Sequence, residues 1–424
     1  MIVMSVNVNG QAIKADLSVT FPSPWTSPYV VDPDHPHHFV NRDGNHLYLY
    51  NKSAFAYFSC NNPDEVLNKA KKLGANVIRV CLEGKPFFSE LELDMWPWGG
   101  TREKPNWNTF NKIYWDKVED RIKLAGENGI GLDIILYYSL RPNEKDIATQ
   151  RVYWDYILSR LGKYSNVFSW EIMYTNNTQK NIIDIAGSYF KNHDPHNRPV
   201  FSSGPASDDA FMPEKSWMDI SVVQTPTGNQ PIYELRDWYL AVARNIYGHG
   251  KPAFNPQPGR EMVDENDDPV FRRKQSWLWC ASGAYWSWHS YDGCEGINEI
   301  NYYSPGWQYS KPISSFFNSI PFWAMNPNYT ACQIDNHELV SASLATPNRK
   351  TVITYACSTK PTAFVRNNTM TLRLHNGEYQ VFFIRPADLK KIKAINISAS
   401  GPNNLLEIDL PDFNDDILIM VTKK

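Results

Sequence analysis

The sequence lacks the features that mark several large classes of protein. Its 42 basic and 45 acidic side chains give a formal charge of −3. No basic block stands out among them, which argues against nucleic acid as the main partner, because phosphate binding needs clustered Lys and Arg. No apolar run approaches the roughly 18 residues that a membrane-spanning helix needs. The N-terminus has neither a basic region nor a long apolar run. We therefore expect no secretion signal, and a protein of the cytoplasm or of an assembly, with its location otherwise open.

Metal and redox motifs are also missing. The six cysteines are spread along the chain without a CxxC pair, and no histidines cluster at a metal-ligand spacing. We therefore expect no metal site and no cofactor. The chain is instead rich in aromatic residues, which make up 14% of its 424 residues. Flat side chains in excess serve either as core or as platforms for sugar rings.

Short apolar strands alternate with amphipathic helices between about residue 45 and residue 290. In the clearest unit Asn62 precedes a helix, Pro63 occupies its first position, and Gly74 ends it before a buried strand. The pattern predicts eight strands, at residues 46–50, 76–80, 132–137, 167–174, 200–203, 220–224, 252–255 and 283–289. Parallel strands in this number, joined by helices, predict an α/β fold, a (β/α)8 TIM barrel, over residues 41–326. A doubly wound open sheet is the alternative, but it would usually carry a Gly-rich turn after its first strand, and this chain has none.

The pattern changes after about Pro327. Short β-rich runs follow, separated by turn dipeptides such as Asn376-Gly377. They predict a small antiparallel β-sandwich over residues 327–424. Residues 1–40 are predicted to form an extended N-terminal arm with short strands.

The working face of such a barrel is the carboxyl end of its strands, so the residues after each strand are candidates for a site. The loop after the second strand carries Trp96, Trp98 and Trp107. These three residues either form a stacking surface for a sugar chain or pack the loop onto the barrel. In the eighth strand Trp286 and Trp288 share one face, and Tyr285 and His289 share the other. The two tryptophans would floor a pocket if they face inward.

Six segments of the chain, taken in order, resemble a known family of enzymes. They are FVNRDGNHLYLYNKSAF, LGANVIRV, RVYWDYILSRLGKYSNVFSWEIM, GKPAFNPQP, RRKQSWLWCASGAYWSW and PFWAMNP. Together they cover roughly residues 40–330 and resemble the clan A glycoside hydrolases, in particular the apiosidase-like barrels with a C-terminal sandwich. The resemblance implies two carboxylic acids, one protonating the leaving oxygen and one attacking the anomeric carbon.

Both of these acids are absent at the positions that match the family pattern. In a motif like W-E-L-A-N-E at strand four, Tyr174 and Thr175 replace the last two residues. In a motif like K-P-x-x-N-x-E-P at strand seven, Gln257 replaces the glutamate, and at strand one a family Asp maps onto Asn51. Thr does not donate a proton at neutral pH as a Glu can, and Gln has no anionic oxygen for attack. The pocket is therefore predicted to bind without cutting.

Other acids lie near the same face. Glu171 shares the strand parity of Thr175 but lies four residues earlier, about 13 Å below the mouth at 3.3 Å per residue. We expect it inside the barrel, paired with Arg79. The acids that could replace the lost pair are Glu83, Glu261, Asp292 and Glu295. The predicted sugar-binding residues are Arg79, Tyr137, Glu171, Tyr174, Gln224, Asn255, Trp286, Trp288, His289, Trp96 and Trp98, with Tyr138 as a further lining residue.

Three functions follow from the sequence, which leaves open whether the chain is an enzyme. The first is a catalytically silent barrel that recognises an oligo- or polysaccharide. The second is an active glycoside hydrolase that uses displaced loop carboxylates. The third is a structural component of a larger assembly, such as a surface layer or a virus particle, with protein partners.

Overall fold

A computed structural model of the chain describes residues 25–83, 96–101, 104–138, 142, 146–174, 179–225, 232–258, 268–290, 294–295, 303–400 and 404–424. For residues 232–239 it describes only the backbone. It also describes the backbone of a hairpin in which Ser5–Val8 pairs with Gln11–Lys14. In this part of the chain no helix is long and apolar enough to cross a bilayer. None of the six cysteines, all of which it includes, forms a disulfide.

Eight parallel strands form the predicted barrel. They are β1 (Tyr50–Ser53), β2 (Val77–Cys81), β3 (Gly131–Tyr137), β4 (Val167–Met173), β5 (Val200–Phe201), β6 (Ser221–Val222), β7 (Ala253–Asn255) and β8 (Tyr285–Trp288). Their order in the sheet is β5-β4-β3-β2-β1-β8-β7-β6. The barrel closes between its two outer strands, where the Asp219 N–H donates to the Val200 carbonyl at 2.8 Å and the Ser207 N–H donates to the Gln224 carbonyl at 2.9 Å. The predicted fold class is confirmed.

The described residues contain seven helices beside the strands. They are α1 (Pro63–Leu73), α2 (Lys112–Glu127), α3 (Ile147–Leu161), α4 (Lys180–His193), α5 (Ile232–Tyr247), α6 (Pro269–Ala281) and α7 (Ser310–Asn318), with short 3₁₀ turns at Trp307–Tyr309 and Phe322–Ala324. Side-chain oxygens of Asn111, Asp146 and Asp268 accept N–H bonds at the starts of α2, α3 and α6. These caps satisfy backbone donors that the helices leave open. A small hairpin, Trp98–Gly100 with Pro105–Phe110, precedes α2.

The first barrel strand differs from the prediction at 46–50. His46–Leu47 instead forms a three-stranded antiparallel sheet with Phe39–Asn41 and Tyr29–Val31, with Val40 opposite His46. The reason is the turn that contains Gly44 at φ 79°, which folds the chain back on itself before the barrel begins. The alternating pattern of residues 46–53 therefore belongs to two sheets.

The C-terminal part is antiparallel, as predicted. Its largest sheet takes the order Asn326–Pro327, Leu339–Ala345, Thr351–Ser358, Asp416–Lys423, Gly377–Arg385 and Lys390–Ala399. A second sheet joins Cys332–Ile334, Thr369–Arg373 and Leu405–Asp409, and Phe364–Val365 pairs with Phe413–Asn414. Apolar side chains from both sheets, Val352, Leu372 and Val381 among them, form one buried cluster.

Helix α6 joins the barrel to the sandwich. The Arg273 guanidinium donates to both carboxylate oxygens of Asp416 at 2.8 and 2.9 Å, and the Tyr355 hydroxyl donates to the same carboxylate at 2.9 Å. Trp277 stacks on Tyr355 with ring centroids 5.8 Å apart. All four side chains are buried, so this contact holds the sandwich against one side of the barrel.

Candidate functional site

An arginine–glutamate pair lies in the barrel interior, and the sequence predicted it. Arg79 of β2 donates from Nε to one Glu171 oxygen at 2.6 Å and from Nη2 to the other. Arg79 also donates to the Ser203 hydroxyl at 2.9 Å and to the Pro256 carbonyl at 3.4 Å. Both charged side chains are fully buried. Burial lowers the pKa of Arg79, but the Glu171 charge and hydrogen bonds outweigh burial and raise it above its usual value.

A second carboxyl group lies beside this pair. Asp133 of β3 is buried and accepts a hydrogen bond from the Ser169 hydroxyl at 2.8 Å. Burial and the nearby Glu171 charge raise the pKa of Asp133 well above its usual value, although Arg79 and Ser169 oppose the shift. Burial beside the Glu171 charge therefore favours the protonated form of Asp133 in the folded barrel.

Three aromatic residues, Phe55, Tyr138 and Tyr174, which we call the mouth aromatics, lie above the ion pair. Tyr138 and Tyr174 follow β3 and β4, are half-buried, and stack with ring centroids 4.5 Å apart. Phe55 follows β1, is buried, and meets Tyr174 edge-on at 5.5 Å. The Arg79 guanidinium lies 5.2 Å from the Tyr174 ring centroid and 5.5 Å from that of Phe55. Aromatic faces therefore line the carboxyl ends of β1, β3 and β4.

Amide side chains line the opposite wall. The Gln224 amide N–H donates to the Gln257 carbonyl oxygen at 3.2 Å. The Asn255 carbonyl oxygen accepts from the Gln257 backbone N–H at 3.3 Å, and its amide donates to the Thr225 hydroxyl at 3.0 Å. Gln257 is half-buried, whereas Asn255 and Gln224 are buried. Such groups both donate and accept hydrogen bonds, as ligand hydroxyls require.

A histidine–glutamate pair closes the network at β8. The His289 Nε2 lies 3.1 Å from a Glu295 carboxylate oxygen, which also accepts from the Ser53 hydroxyl. His289 lies next to Phe55, with ring centroids 6.4 Å apart. The structure thus brings together Arg79, Glu171, Tyr174, Gln224, Asn255, Gln257, His289 and Glu295 around one end of the barrel.

Comparison with known proteins assigns the chain to a family. A sequence profile of the apiosidase-like catalytic domain matches residues 37–300. The chain belongs to the apiosidase-like family. The predicted relation to the clan A glycoside hydrolase barrels is thereby confirmed.

Solved structures show the same architecture as this apiosidase-like chain. A glycoside hydrolase that is 14% identical has a TM-score of 0.72 and covers 95% of this chain and 98% of its own. A family 5 glycoside hydrolase from Bacteroides vulgatus ATCC 8482, also 14% identical, has a TM-score of 0.72 and covers 93% of both chains. An endo-1,4-beta-mannanase from Rhizomucor miehei is 13% identical, with a TM-score of 0.50 over 69% of this chain and 98% of its own. Identities this low show the fold alone. Among curated protein sequences, none matches this one.

Several predicted sugar-binding residues of this apiosidase-like barrel lie away from its mouth. The Tyr137 hydroxyl donates to Gln150 at 2.7 Å and accepts from Trp154 at 2.8 Å, so its side chain faces α3. Trp286 packs against Trp279 of α6 with ring centroids 6.5 Å apart, and Trp288 shares its strand parity. The inward positions of β8 belong to Tyr285, Ser287 and His289, since the Ser287 hydroxyl donates to the buried Asn51 carbonyl oxygen at 3.0 Å.

The tryptophan-rich loop packs on itself. Trp98 is 1% exposed and contacts Trp96, Trp107 and Tyr153 of α3 at 5.1, 4.5 and 4.9 Å between ring centroids. The tryptophans therefore pack the loop onto the barrel and do not form an exposed stacking surface. Glu83 is fully buried near Tyr137 and Tyr153. Burial is the main reason that the pKa values of these two hydroxyls are raised, and the Glu83 charge raises them further. Three predicted positions, Thr175, Glu261 and Asp292, lie outside the described residues.

Sequence reasoning missed Phe55, Ser53, Ser203 and Asp133 as members of this network. A charged residue in the otherwise apolar run GLDIILY was the available signal for Asp133. The two serines and the phenylalanine gave none, because they are ordinary residues for a strand and its following turn.

Proposed function

We propose that this apiosidase-like chain recognises a carbohydrate at the carboxyl ends of its barrel strands without hydrolysing it. One observation carries the proposal: Gln257, matched to the nucleophile position at the end of β7, is an amide hydrogen-bonded to Gln224 at 3.2 Å. An amide cannot form the glycosyl ester of a retaining mechanism. It can still donate to and accept from a sugar hydroxyl.

The carboxylates described around the mouth support this proposal because they are already engaged. Glu171 is bound by Arg79 in a two-pronged pair, and Asp133 is held by Ser169 beside that pair. Glu295 is bound by Ser53 and His289. Each of these three acids is at most 1% exposed. Reaching a glycosidic oxygen would require each of them to leave its partner.

The mouth offers two complementary surfaces for a sugar. Tyr138 and Tyr174 supply half-buried ring faces on one wall, and Gln257 supplies an amide on the other. Apolar faces with a few placed polar groups are typical of small-ligand sites. The Arg79–Glu171 pair beneath carries no net charge, which suits a neutral sugar ring better than a charged one.

A displaced-acid hydrolase is the second candidate, and His289 with Glu295 favours it. A carboxylate beside a histidine at the end of β8 is chemically suited to proton transfer. In this candidate Glu295 would protonate the leaving oxygen in place of Thr175, and one of the other predicted acids, Glu83, Glu261 or Asp292, would take the nucleophile role of Gln257.

Hydrolysis assays separate the two candidates. The native protein and the Thr175→Glu, Gln257→Glu double variant are each assayed for reducing-sugar release from a broad panel of polysaccharides and aryl glycosides. Under the proposal, we expect no release of reducing sugar by the native protein and measurable release by the double variant. Native turnover that is lost in Glu295→Gln would contradict the proposal and establish the displaced-acid candidate.

Binding must be measured separately, because silence alone does not show recognition. A glycan array followed by calorimetry on the best ligand tests the native protein, and we expect Tyr174→Ala to weaken binding at least tenfold. Trp307→Ala is the matched control, since Trp307 is an exposed aromatic residue (37% exposed) on the short turn before α7, outside the mouth. Absence of any glycan ligand, together with inactive native and double-variant proteins, would favour the assembly hypothesis instead.

A further inference from the structure

Asp32, His35 and His46 come together at the amino-terminal end of the barrel, away from the carbohydrate site. One ligand atom from each lies within 4.8 Å of the other two. The His46 Nε2 is 2.7 Å from an Asp32 oxygen. Asp32 is buried, and the two histidines are half-buried. The three side chains thus form a compact group of nitrogen and oxygen ligands that remains open to solvent.

The backbone around this group is held in place. Residues 32–38 form the loop between two paired strands, closed by bonds from the Asp32 N–H to the His38 carbonyl at 2.9 Å and from the His38 N–H to the His35 carbonyl at 2.8 Å. His46 begins the third strand of the same sheet, opposite Val40. Strand pairing and two short loop bonds therefore fix the positions of all three residues before any ligand arrives.

Side-chain contacts orient the group further. The His46 ring stacks on Trp323 with centroids 4.5 Å apart and planes 3° from parallel. The second Asp32 oxygen accepts from the Asp34 N–H at 2.8 Å. A ligating ring or carboxylate that is held by its neighbours loses little freedom on binding a metal.

We propose that Asp32, His35 and His46 form a binding site for a divalent transition metal of the Zn²⁺ class. Two imidazoles and one carboxylate are ligands that Zn²⁺ accepts, and three protein ligands leave a fourth position for water. Ligand atoms about 2.1 Å from a tetrahedral ion lie roughly 3.4 Å apart, so binding would part the His46 Nε2 from the Asp32 oxygen by about 0.7 Å, from their present 2.7 Å. Shifts of this size are within reach of side-chain rotation.

The site would clamp the three-stranded sheet at the amino-terminal end of the barrel. His46 already stacks on Trp323, which follows α7, so a metal bound to His46 would fix the ring through which the segment before the barrel contacts the segment after it. The spacing of histidines and acids along the sequence did not predict this metal site. The ligands come from a loop and a later strand, and only the pairing of Val40 with His46 brings them together. This inference does not depend on the proposed carbohydrate function.

Metal titration tests the proposal on the full-length chain. The protein is stripped with a chelator and titrated with Zn²⁺ alone by calorimetry, with competition against a chromophoric chelator. We expect one Zn²⁺ per chain and a melting temperature that rises by roughly 2–5 °C at a hundredfold excess over Kd. His35→Gln and His46→Gln should each weaken binding at least tenfold.

His37→Gln is the matched control, because His37 lies in the same loop but contacts the Lys251 carbonyl at 3.0 Å and stacks on Tyr247. It should bind Zn²⁺ as the native protein does. Co²⁺ provides a second measurement, since a four-coordinate site gives visible absorption that His35→Gln should abolish even if His46→Gln fails to fold. Native protein without one-to-one binding, or an equal loss in all three histidine variants, would overturn the proposal.

Discussion

The two ends of the barrel are built on different principles. At the amino-terminal end, Trp25 and Phe39 pack against Phe168 with ring centroids 6.1 and 5.0 Å apart, and Phe39 also meets Tyr285 at 5.4 Å. At the carboxyl end, the Arg79–Glu171 pair and the amides of Gln224 and Gln257 lie beside the mouth aromatics. Apart from the group Asp32, His35 and His46, the amino-terminal end is closed by apolar packing, whereas the carboxyl end combines aromatic faces with polar groups that satisfy one another.

This difference assigns separate tasks to the two ends. Aromatic rings packed on one another, as at the amino-terminal end, exclude water and contribute free energy of folding, and their faces are not exposed to a ligand. Paired polar groups contribute less net stability, since the cost of removing charges from water offsets most of their attraction. Their presence at the carboxyl end is therefore what the proposed carbohydrate recognition would require. The predictions below test this division.

Breaking the ion pair should have the largest effect. Arg79→Met leaves Glu171 buried without its partner, and we expect the free energy of unfolding to fall by about 3–5 kcal/mol. Urea denaturation of the native and variant proteins measures the difference.

The double variant Arg79→Met, Glu171→Met is the control for this prediction. It removes both charges, so it should regain most of the lost stability. A double variant no more stable than the single one would mean that the pair stabilises the fold in itself, contrary to the division between the two ends.

Overpacking the amino-terminal end should cost somewhat less. A Cβ added at Gly131, the first residue of β3, would overlap the Trp25 ring, far inside van der Waals contact, so the ring would have to move. Gly131→Ala should therefore lower the free energy of unfolding by about 1–3 kcal/mol while leaving carbohydrate binding unchanged. Gly129→Ala, two residues earlier, is not an equivalent control, because Gly129 has a positive φ at which any added side chain is strained. A loss of binding in Gly131→Ala would show that the two ends are coupled.

The sequence predicted the barrel well because its helices and strands obey local rules. Pro63 and Gly74 mark the ends of α1, and buried runs such as residues 132–137 fall on observed strands. The prediction of the first barrel strand at residues 46–50 was wrong. One alternating run contributes to two sheets there, and only the hairpin pairing shows which residues belong to which sheet.

The site was predictable only in part, for a physical reason. Charge in an apolar strand predicted the Arg79–Glu171 pair, since a buried charge requires a partner. The direction of an aromatic side chain carries no such requirement. Trp286 is therefore equally compatible, from sequence, with the barrel interior and with its observed contact to Trp279 of α6.

The buried carboxyl group of Asp133 should make stability depend on pH. The pKa of Asp133 is raised in the folded chain, so the folded state holds this proton at pH values where the unfolded state has released it. Its contribution to stability is thus present at low pH and is lost as the pH rises from about 4 towards the folded pKa, by at most about 1.4 kcal/mol per pH unit. Asp133→Asn removes this loss. The free energy of unfolding of the variant should therefore rise relative to that of the native protein as the pH increases. Urea denaturation at several pH values measures the difference in free energy of unfolding between the variant and the native protein. Asp412→Asn, at an exposed position, serves as the control. A gap that stays constant with pH would mean that Asp133 is ionised in the folded barrel.

A pair of amide-to-carboxylate changes two residues apart tests the carboxyl end most finely. Gln257→Glu places a charge on a half-buried side chain that still accepts from Gln224, and we expect the free energy of unfolding to change by no more than about 0.5 kcal/mol. Asn255→Asp makes the same chemical change at a fully buried position and removes the donor to Thr225, so it should cost at least about 1–3 kcal/mol. If both variants are equally destabilised, Gln257 is part of a packed core, and the mouth is closed by the same principle as the other end. If Gln257→Glu is tolerated as expected, solvent and ligand reach the end of β7, which is the access that carbohydrate recognition requires.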